Sequence, residues 1–169
     1  MEYNPFLKTA IVRKGVSKPM KILKDKELLK GKILDFACGH GEDVSILSGF
    51  GFDIIGYDKF NDRYRNDKLL NNKYGVVTCN YCFNVMPDLE EHRQVLELLK
   101  SLSDNVYISV RSDLKAIKPN WIYNKEQLGY WTTTGSFQRF YDDEMVNELF
   151  GEIEYINNNA SFKLFKLIV

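Results

Sequence analysis

The sequence lacks a long apolar run, an even number of cysteines and a net charge. Its 169 residues include 23 Lys or Arg and 23 Asp or Glu, so the formal charge is zero. No segment approaches the roughly 20 apolar residues of a membrane span. The N-terminal segment also lacks the uninterrupted apolar core of a signal peptide. These absences predict a cytoplasmic protein without a membrane span.

Only three cysteines are present, Cys38, Cys79 and Cys82. An odd number cannot pair completely, and without a secretion signal we interpret them as reduced thiols. Cys79 and Cys82 have the spacing of half a zinc site. A structural zinc site needs about four ligands, and no second pair accompanies this one, so we expect no metal.

The sequence does contain enough apolar material for one domain. Hydrophobic residues make up 44% of the chain and aromatic residues 14%. A chain of this length can bury roughly two thirds of its unfolded surface. Because no repeat or low-complexity linker divides it, we expect residues 1–169 to form a single domain.

The charges are unevenly distributed. Residues 1–32 hold nine Lys or Arg and three acids, a net charge of +6, so the remainder carries −6. We interpret residues 1–31 as a basic N-terminal arm with a helix packed on the domain. Nucleic acid would select such an arm, and Arg13, Lys14 and Lys18 are candidates for phosphate contacts. A solvated helix face with scattered lysines would explain the same charges.

Buried strands alternate with helices along most of the chain. Short, continuously apolar segments predict strands at 33–36, 52–57, 75–80 and 105–110. Apolar periodicity and capping residues predict helices at 17–29, 42–49, about 88–102 and 142–150. An asparagine turn joins two further predicted strands, at 152–156 and 161–168. This order predicts an α/β fold whose mostly parallel sheet ends in a C-terminal antiparallel hairpin.

One connection is short. Sixteen residues, mostly polar, separate Asp58 from Gly75, too few for a helix, a strand and another helix. We therefore expect a sheet that is trimmed at one edge. With that exception, the order of elements resembles the Rossmann-like fold of class I methyltransferases.

The stretch ILDFACGHGEDVSIL, residues 33–47, places a Gly-x-Gly turn between a buried strand and a helix. In an open parallel sheet, ligands bind outside the carboxyl ends of the strands, where this turn lies. A nicotinamide site is disfavoured because Val44 replaces the third glycine and because Glu42 and Asp43 would repel phosphate. A P-loop is excluded because no Gly-Lys-Ser/Thr follows.

The remaining candidate ligand is S-adenosylmethionine, a sulfonium without phosphate. Residues 35–41 resemble the methyltransferase pattern acid-x-Gly-x-Gly-x-Gly, with Ala37 in place of the first glycine. Asp58, at the end of the next strand, lies where such enzymes place the acid that binds both ribose hydroxyls. The predicted cofactor-binding residues are Asp35, Ala37, Cys38, Gly39, Gly41, Asp43, Asp58, Lys59 and Asn80.

The methyl acceptor is expected at the end of the third strand. DNA amino-methyltransferases use Asn/Asp-Pro-Pro-Tyr/Phe there, and residues 80–83 keep the Asn and the Phe but lack both prolines. Asn80, Tyr81 and Phe83 are the candidate catalytic residues. A cytosine C5 enzyme is poorly supported because no cysteine follows a proline.

Two further features carry alternatives. Phe137 and Arg139 bring an aromatic ring and a cation close together in the sequence, and they are candidates for one wall of the acceptor pocket. They would equally suit a connection that packs beneath the hairpin. His92, among Glu90, Glu91 and Arg93, is interpreted as a surface histidine.

Several runs resemble the methyltransferases associated with DNA phosphorothioation. These runs are KTAIVRK at 8–14, SKP at 17–19, DFACGHGEDV at 35–44, NVM at 84–86 and GSFQRFY at 135–141. The resemblance implies a class I methyltransferase fold and a role in DNA modification or defence, which favours DNA as the partner. The favoured hypothesis is an S-adenosylmethionine-dependent methyltransferase of nucleic acid. The alternatives are a non-catalytic cofactor-binding module of a DNA-modification assembly and a small-molecule methyltransferase.

Overall fold

A computed structural model describes residues 2–169 of the chain. The helices are α1 (Pro5–Thr9), α2 (Lys18–Asp25), α3 (Glu42–Gly49), α4 (Leu89–Leu102) and α5 (Asp143–Phe150). The strands are β1 (Ile33–Phe36), β2 (Ile54–Tyr57), β3 (Val76–Asn80), β4 (Val106–Arg111), β5 (Ile122–Asn124), β6 (Gly129–Trp131), β7 (Phe137–Gln138), β8 (Ile153–Asn158) and β9 (Phe162–Leu167). None of the helices in this range is long and apolar enough to cross a membrane.

The main sheet has six strands in the order β2-β1-β3-β4-β9-β8. Strands β2, β1, β3 and β4 pair in parallel, and β9 is antiparallel to both of its neighbours. The predicted parallel sheet with a C-terminal antiparallel hairpin is confirmed. The trimmed edge is also confirmed, because β2 is an edge strand and the link from β2 to β3 holds only a 3-10 helix at Asp67–Asn71.

Two apolar clusters cover the two faces of this sheet. Successive side chains of a strand point to opposite faces, so Ile33 and Val76 join one cluster while Leu34 and Val77 join the other. Helices α4 and α5 pack against the cluster of Leu34, and α2 packs against that of Ile33. Burial on both faces explains why these strands are continuously apolar.

Two expectations differ from the structure. Helix α2 ends at Asp25 rather than near residue 29, since Glu27 takes a left-handed φ of 56° that no α-helix accommodates. His92 is buried rather than exposed, because it lies one turn before Leu96 on the inward face of α4. Its ring lies between those of Phe83 and Phe150, at 4.5 and 4.9 Å, and this burial lowers the pKa of His92 to about 3.

The structure contains a small second sheet that the sequence analysis does not predict. Strands β5, β6 and β7 form an antiparallel sheet in that order, inserted between β4 and α5. Each strand has only two or three residues, too few for an alternating pattern to be recognised. The rings of Trp131 and Phe137 pack 5.4 Å apart within it.

Candidate active site

A cleft of about 770 Å³ lies at the carboxyl ends of β1 to β4. This is the edge of the sheet where the strand order reverses, between β1 and β3. The segments after the strands line the cleft with residues 37–40, 58–60, 80–82, 111 and 113. The position expected for a ligand from the strand order is therefore the position of the cleft.

The glycine turn after β1 adopts left-handed backbone conformations. The φ angles of Ala37, Gly39 and Gly41 are 57°, 60° and 80°. At Gly41 a Cβ atom would clash with the hydroxyl of Tyr64, and the positive φ would strain any other residue. Ala37 replaces the first glycine of the methyltransferase pattern yet keeps the left-handed conformation that this pattern requires.

Asp58 joins the end of β2 to this turn. Its Oδ2 accepts a hydrogen bond from the Gly39 N–H at 2.9 Å, and its Oδ1 accepts one from the Phe60 N–H at 2.8 Å. Asn61 Nδ2 donates to the Gly39 carbonyl at 2.8 Å. Asp58 lines the cleft, and each of its oxygens retains a lone pair that can accept a hydrogen bond from a ligand hydroxyl.

The cleft does not include three of the predicted cofactor residues, Asp35, Gly41 and Asp43. Asp35 is buried beneath the turn and accepts a hydrogen bond from Thr78 Oγ1 at 2.8 Å. Both oxygens of Asp43 bind Ser17, one its N–H at 2.7 Å and the other its hydroxyl at 2.6 Å. The prediction that Asp43 binds the cofactor is wrong, since its carboxylate is buried and anchors the start of α2. Asp35 and Gly41 shape the strand end and the turn without lining the cleft.

We expect Asp35 to make stability depend on pH. Burial, with the Asp43 charge nearby, raises the pKa of the Asp35 carboxyl to about 7. The folded state therefore holds this proton while the unfolded state has lost it, and stability falls as pH rises from about 4 to about 7. Between pH 4 and pH 8 the unmodified chain should lose on the order of 3 kcal/mol of unfolding free energy through this group, and Asp35→Asn should not show that loss. Denaturant unfolding at each pH measures the difference.

The control for this experiment is Asp104→Asn, because Asp104 is exposed. Its profile should follow that of the unmodified chain. Parallel profiles for the unmodified chain and Asp35→Asn would show that the pKa of Asp35 is the same in the folded and unfolded states, which would contradict the prediction.

The carboxyl end of β3 contributes Asn80 to the cleft. Its Oδ1 accepts a hydrogen bond from Ser109 Oγ at 2.8 Å. Its Nδ2 is buried and has no hydrogen-bond partner among residues 2–169. Asn80 lines the cleft, so this amide is a donor that a bound ligand can satisfy.

Tyr81 follows with a strained backbone, at a φ of 60°. Its ring meets Phe162 edge-on at 6.3 Å, and the residue lines the cleft. Burial raises the pKa of Tyr81 to about 12, so its hydroxyl stays protonated at neutral pH and is a hydrogen-bond donor there. Phe83 lies elsewhere: it is fully buried against His92 and Phe150. The prediction of Phe83 as a catalytic residue is wrong.

The segment GSFQRFY packs inside the protein. Phe137 and Arg139 are both 0% exposed and do not line the cleft. The guanidinium of Arg139 donates to the carbonyls of Phe83, Pro87 and Gln127. The prediction that Phe137 and Arg139 contact substrate is wrong. Both residues pack in the interior as the alternative expected, but Phe137 packs against Trp131 of the second sheet rather than beneath the hairpin.

A polar group that sequence reasoning missed lies at the end of β4. Arg111 donates from Nε and Nη2 to the two oxygens of Asp113, at 2.9 and 2.8 Å. Its Nη1 donates to Gln138 Oε1 at 3.0 Å. All three residues line the cleft. The sequence contains a signal for Arg111 and Asp113, because both charged residues closely follow the predicted buried strand at 105–110. No feature of the neighbouring sequence indicates that Gln138 lines the cleft.

The N-terminal segment lies across the cleft. Phe6 packs on the ring of His40 in the glycine turn at 4.9 Å, and the Tyr3 hydroxyl accepts a hydrogen bond from the Phe137 N–H at 3.0 Å. Lys59, a predicted cofactor residue, lines the cleft and lies 3.6 Å from Glu2. The cations predicted to contact phosphate separate: Arg13 and Lys18 line the cleft, and Lys14 is exposed outside it. Cys38 also lines the cleft.

No metal centre is found in the part of the chain that the structure describes. No three His, Cys, Asp or Glu side chains there are grouped to hold an ion. Cys38, Cys79 and Cys82 are all unpaired. Burial raises the pKa of the Cys79 thiol well above its usual range, as expected for a buried thiol.

Class I methyltransferases hold S-adenosylmethionine against a glycine turn of this kind, and the fold and cleft place this chain in that class. The chain belongs to the methyltransferase domain family, which it matches over residues 11–156. Its cofactor is S-adenosylmethionine, which supplies an electrophilic methyl group on a sulfonium. The residues present fit it, because Asp58 can accept from the ribose hydroxyls and the left-handed turn allows close backbone approach.

Solved structures share the fold at low sequence identity. One is the PH0226 protein from Pyrococcus horikoshii OT3, with 16% identity, a TM-score of 0.63 and coverage of 88% of this chain and 89% of that chain. Glycopeptide N-methyltransferase MtfA, complexed with sinefungin, has 10% identity, a TM-score of 0.62 and coverage of 91% and 93%. The 1,6-didemethyltoxoflavin-N1-methyltransferase of Burkholderia thailandensis has 12% identity, a TM-score of 0.60 and coverage of 89% and 77%. No curated protein sequence matches significantly.

Proposed function

We propose that the chain transfers the methyl group of S-adenosylmethionine to a small acceptor molecule held in the cleft. The main support for this proposal is that the N-terminal segment lies across the cleft, which Tyr3, Phe6 and Ile11 help to line. A covered cleft suits a small acceptor better than a long duplex. Two of the similar structures are named as methyltransferases of a glycopeptide and of 1,6-didemethyltoxoflavin, which agrees with a small acceptor.

The charge of the cleft supports the same proposal. Six carboxylate residues line it, against four Lys or Arg. Arg111 is already paired with Asp113, and Lys59 lies near both Glu2 and Glu91. A polyanion binds where cations are in excess and unpaired, and the cleft as a whole does not have that character.

The chemistry requires alignment more than activation. Methyl transfer from a sulfonium is an in-line displacement, in which the acceptor lone pair forms the new bond as the carbon–sulfur bond breaks. We assign Asp58 to orient the ribose and Asn80 and Tyr81 to orient the acceptor. Tyr81 acts as a donor, since its hydroxyl is protonated at neutral pH. An acceptor amine releases its proton after the transfer and needs no base.

The test is transfer of labelled methyl from S-adenosylmethionine to a panel of small amines and phenols, with DNA and RNA as separate members. We expect label in a small molecule and its loss in Tyr81→Phe, which keeps the ring but removes the donor. Tyr123→Phe is the matched control, because Tyr123 is exposed and lies outside the cleft. Label only in DNA or RNA would overturn the small-acceptor assignment.

Nucleic acid is the second candidate acceptor. Arg13 and Lys18 on the cleft wall and the exposed Lys14 beside them favour it, as does the resemblance to methyltransferases associated with DNA phosphorothioation. Under this hypothesis the Gln variants of Arg13, Lys14 and Lys18 lose nucleic-acid affinity, and the dependence of that affinity on salt becomes shallower. Unchanged affinity and salt dependence would remove this candidate.

A further inference from the structure

A second groove of about 280 Å³ opens beside the cleft. It lies between the start of α2 and the turn that joins β8 to β9. Lys18, Ser161 and Phe162 line both spaces, so the groove continues the cleft on this side. The remaining lining residues are Lys21, Ile22, Asn157 and Asn159.

The groove differs from the cleft in charge. Two lysines line it and no carboxylate does, although residues 33–169 carry a net negative charge. Lys21 has one ion pair, with the exposed Asp25 at 2.8 Å. Lys18 has no ion pair among residues 2–169. Lys18 therefore brings to the groove a positive charge that no ion pair in the described part of the chain neutralises.

The polar atoms of the groove are also arranged for an anion. The Nδ2 of Asn157 is buried and has no partner in the described part of the chain, which leaves a donor to be satisfied. The Oδ1 of Asn159 accepts from the N–H groups of Ser161 and Phe162, at 2.8 and 2.9 Å. The oxygen that would repel an anion is thus already occupied.

We propose that this groove binds the phosphate group of the methyl acceptor while the rest of the acceptor extends into the cleft. The proposal rests on the proposed methyltransferase function, and it narrows the acceptor to a phosphorylated compound. A phosphate accepts several hydrogen bonds at once, which suits two ammonium groups and an amide. The phosphate of a small phosphomonoester and that of a nucleic acid share this chemistry.

The experiment measures binding of phenyl phosphate and of a short single-stranded oligonucleotide by calorimetry, with backbone amide NMR to locate the site. The variant is Lys18→Gln with Lys21→Gln. The control is Lys26→Gln with Lys30→Gln, which removes the same charge from exposed positions outside the groove. We expect the groove variant to weaken phosphate binding at least about 10-fold. The control should bind like the unmodified chain.

The two ligands distinguish the source of the phosphate. Equal affinity for both supports a small phosphorylated acceptor, and stronger, salt-dependent binding of the oligonucleotide supports nucleic acid. No binding of either ligand, or equal losses in the groove variant and its control, would overturn the proposal. A parallel titration with S-adenosylhomocysteine separates the two failures, because absent cofactor binding would instead contradict the methyltransferase function.

Discussion

Asp58→Ala should weaken the binding of S-adenosylmethionine and S-adenosylhomocysteine by about 100-fold, or about 2.7 kcal/mol. The carboxylate is the only group at this position that can accept hydrogen bonds from two ribose hydroxyls at once, and bonds to a charged acceptor are the stronger kind. The same substitution releases the N–H groups of Gly39 and Phe60 from the oxygens that now hold them. Calorimetric titration of both ligands measures the loss.

The controls separate ligand contact from folding. Asp53→Ala removes an exposed acid from the loop that leads into β2 and should bind both ligands like the unmodified chain. Asp58→Asn keeps one oxygen to accept a hydrogen bond and should show an intermediate affinity. If Asp58→Ala is folded by circular dichroism and still binds both ligands at full affinity, the ribose assignment is incorrect.

Sequence reasoning predicts the local part of this site. The strand at Ile33–Phe36 and the helix at Glu42–Gly49 have the predicted bounds, and Asp58 follows β2 as expected. Each of these features depends on signals within a few residues: an apolar run, glycines that permit positive φ, and a helix that starts just after them. Because strand ends in a parallel sheet share one edge, local signals also place the turn and Asp58 together.

The same reasoning fails where burial decides the role of a polar residue. Asp43 follows the glycine turn as a cofactor ligand would, yet it binds Ser17, 26 positions earlier. His92 has charged neighbours on both sides, yet the helix turns it towards Phe150. Residue type and spacing do not reveal which distant segment covers a side chain.

The sequence also does not predict which distant segments contribute residues to the cleft. Gln138 reaches the cleft from a two-residue strand, and Tyr3 does so from the N-terminal segment. Both positions depend on the small second sheet, whose strands are too short to leave a pattern. Tyr3 packs edge-on against Trp131 of this sheet at 5.3 Å. Because the second sheet was not predicted, neither Tyr3 nor Gln138 could be predicted to line the cleft.

Arg139→Met should destabilise the protein by about 4 kcal/mol, which for a chain of this size lowers the melting temperature by about 10 °C. All five N–H donors of the Arg139 guanidinium are used, twice on the Gln127 carbonyl and once each on Phe83, Pro87 and the Tyr141 hydroxyl. Methionine fills much of the same space but leaves these buried acceptors without a donor. Denaturant and thermal unfolding measure the effect.

The position of these acceptors explains why the loss should be large. Phe83 and Pro87 lie in the loop from β3 to α4, Gln127 lies in the turn from β5 to β6, and the guanidinium holds the two together. Arg93→Met is the matched control, since Arg93 is exposed and pairs only with Glu90 on its own helix, an interaction worth less than about 1 kcal/mol. Equal, small effects of both substitutions would mean that water replaces the guanidinium at the three carbonyls, and that the loop after β3 is held by its apolar contacts alone.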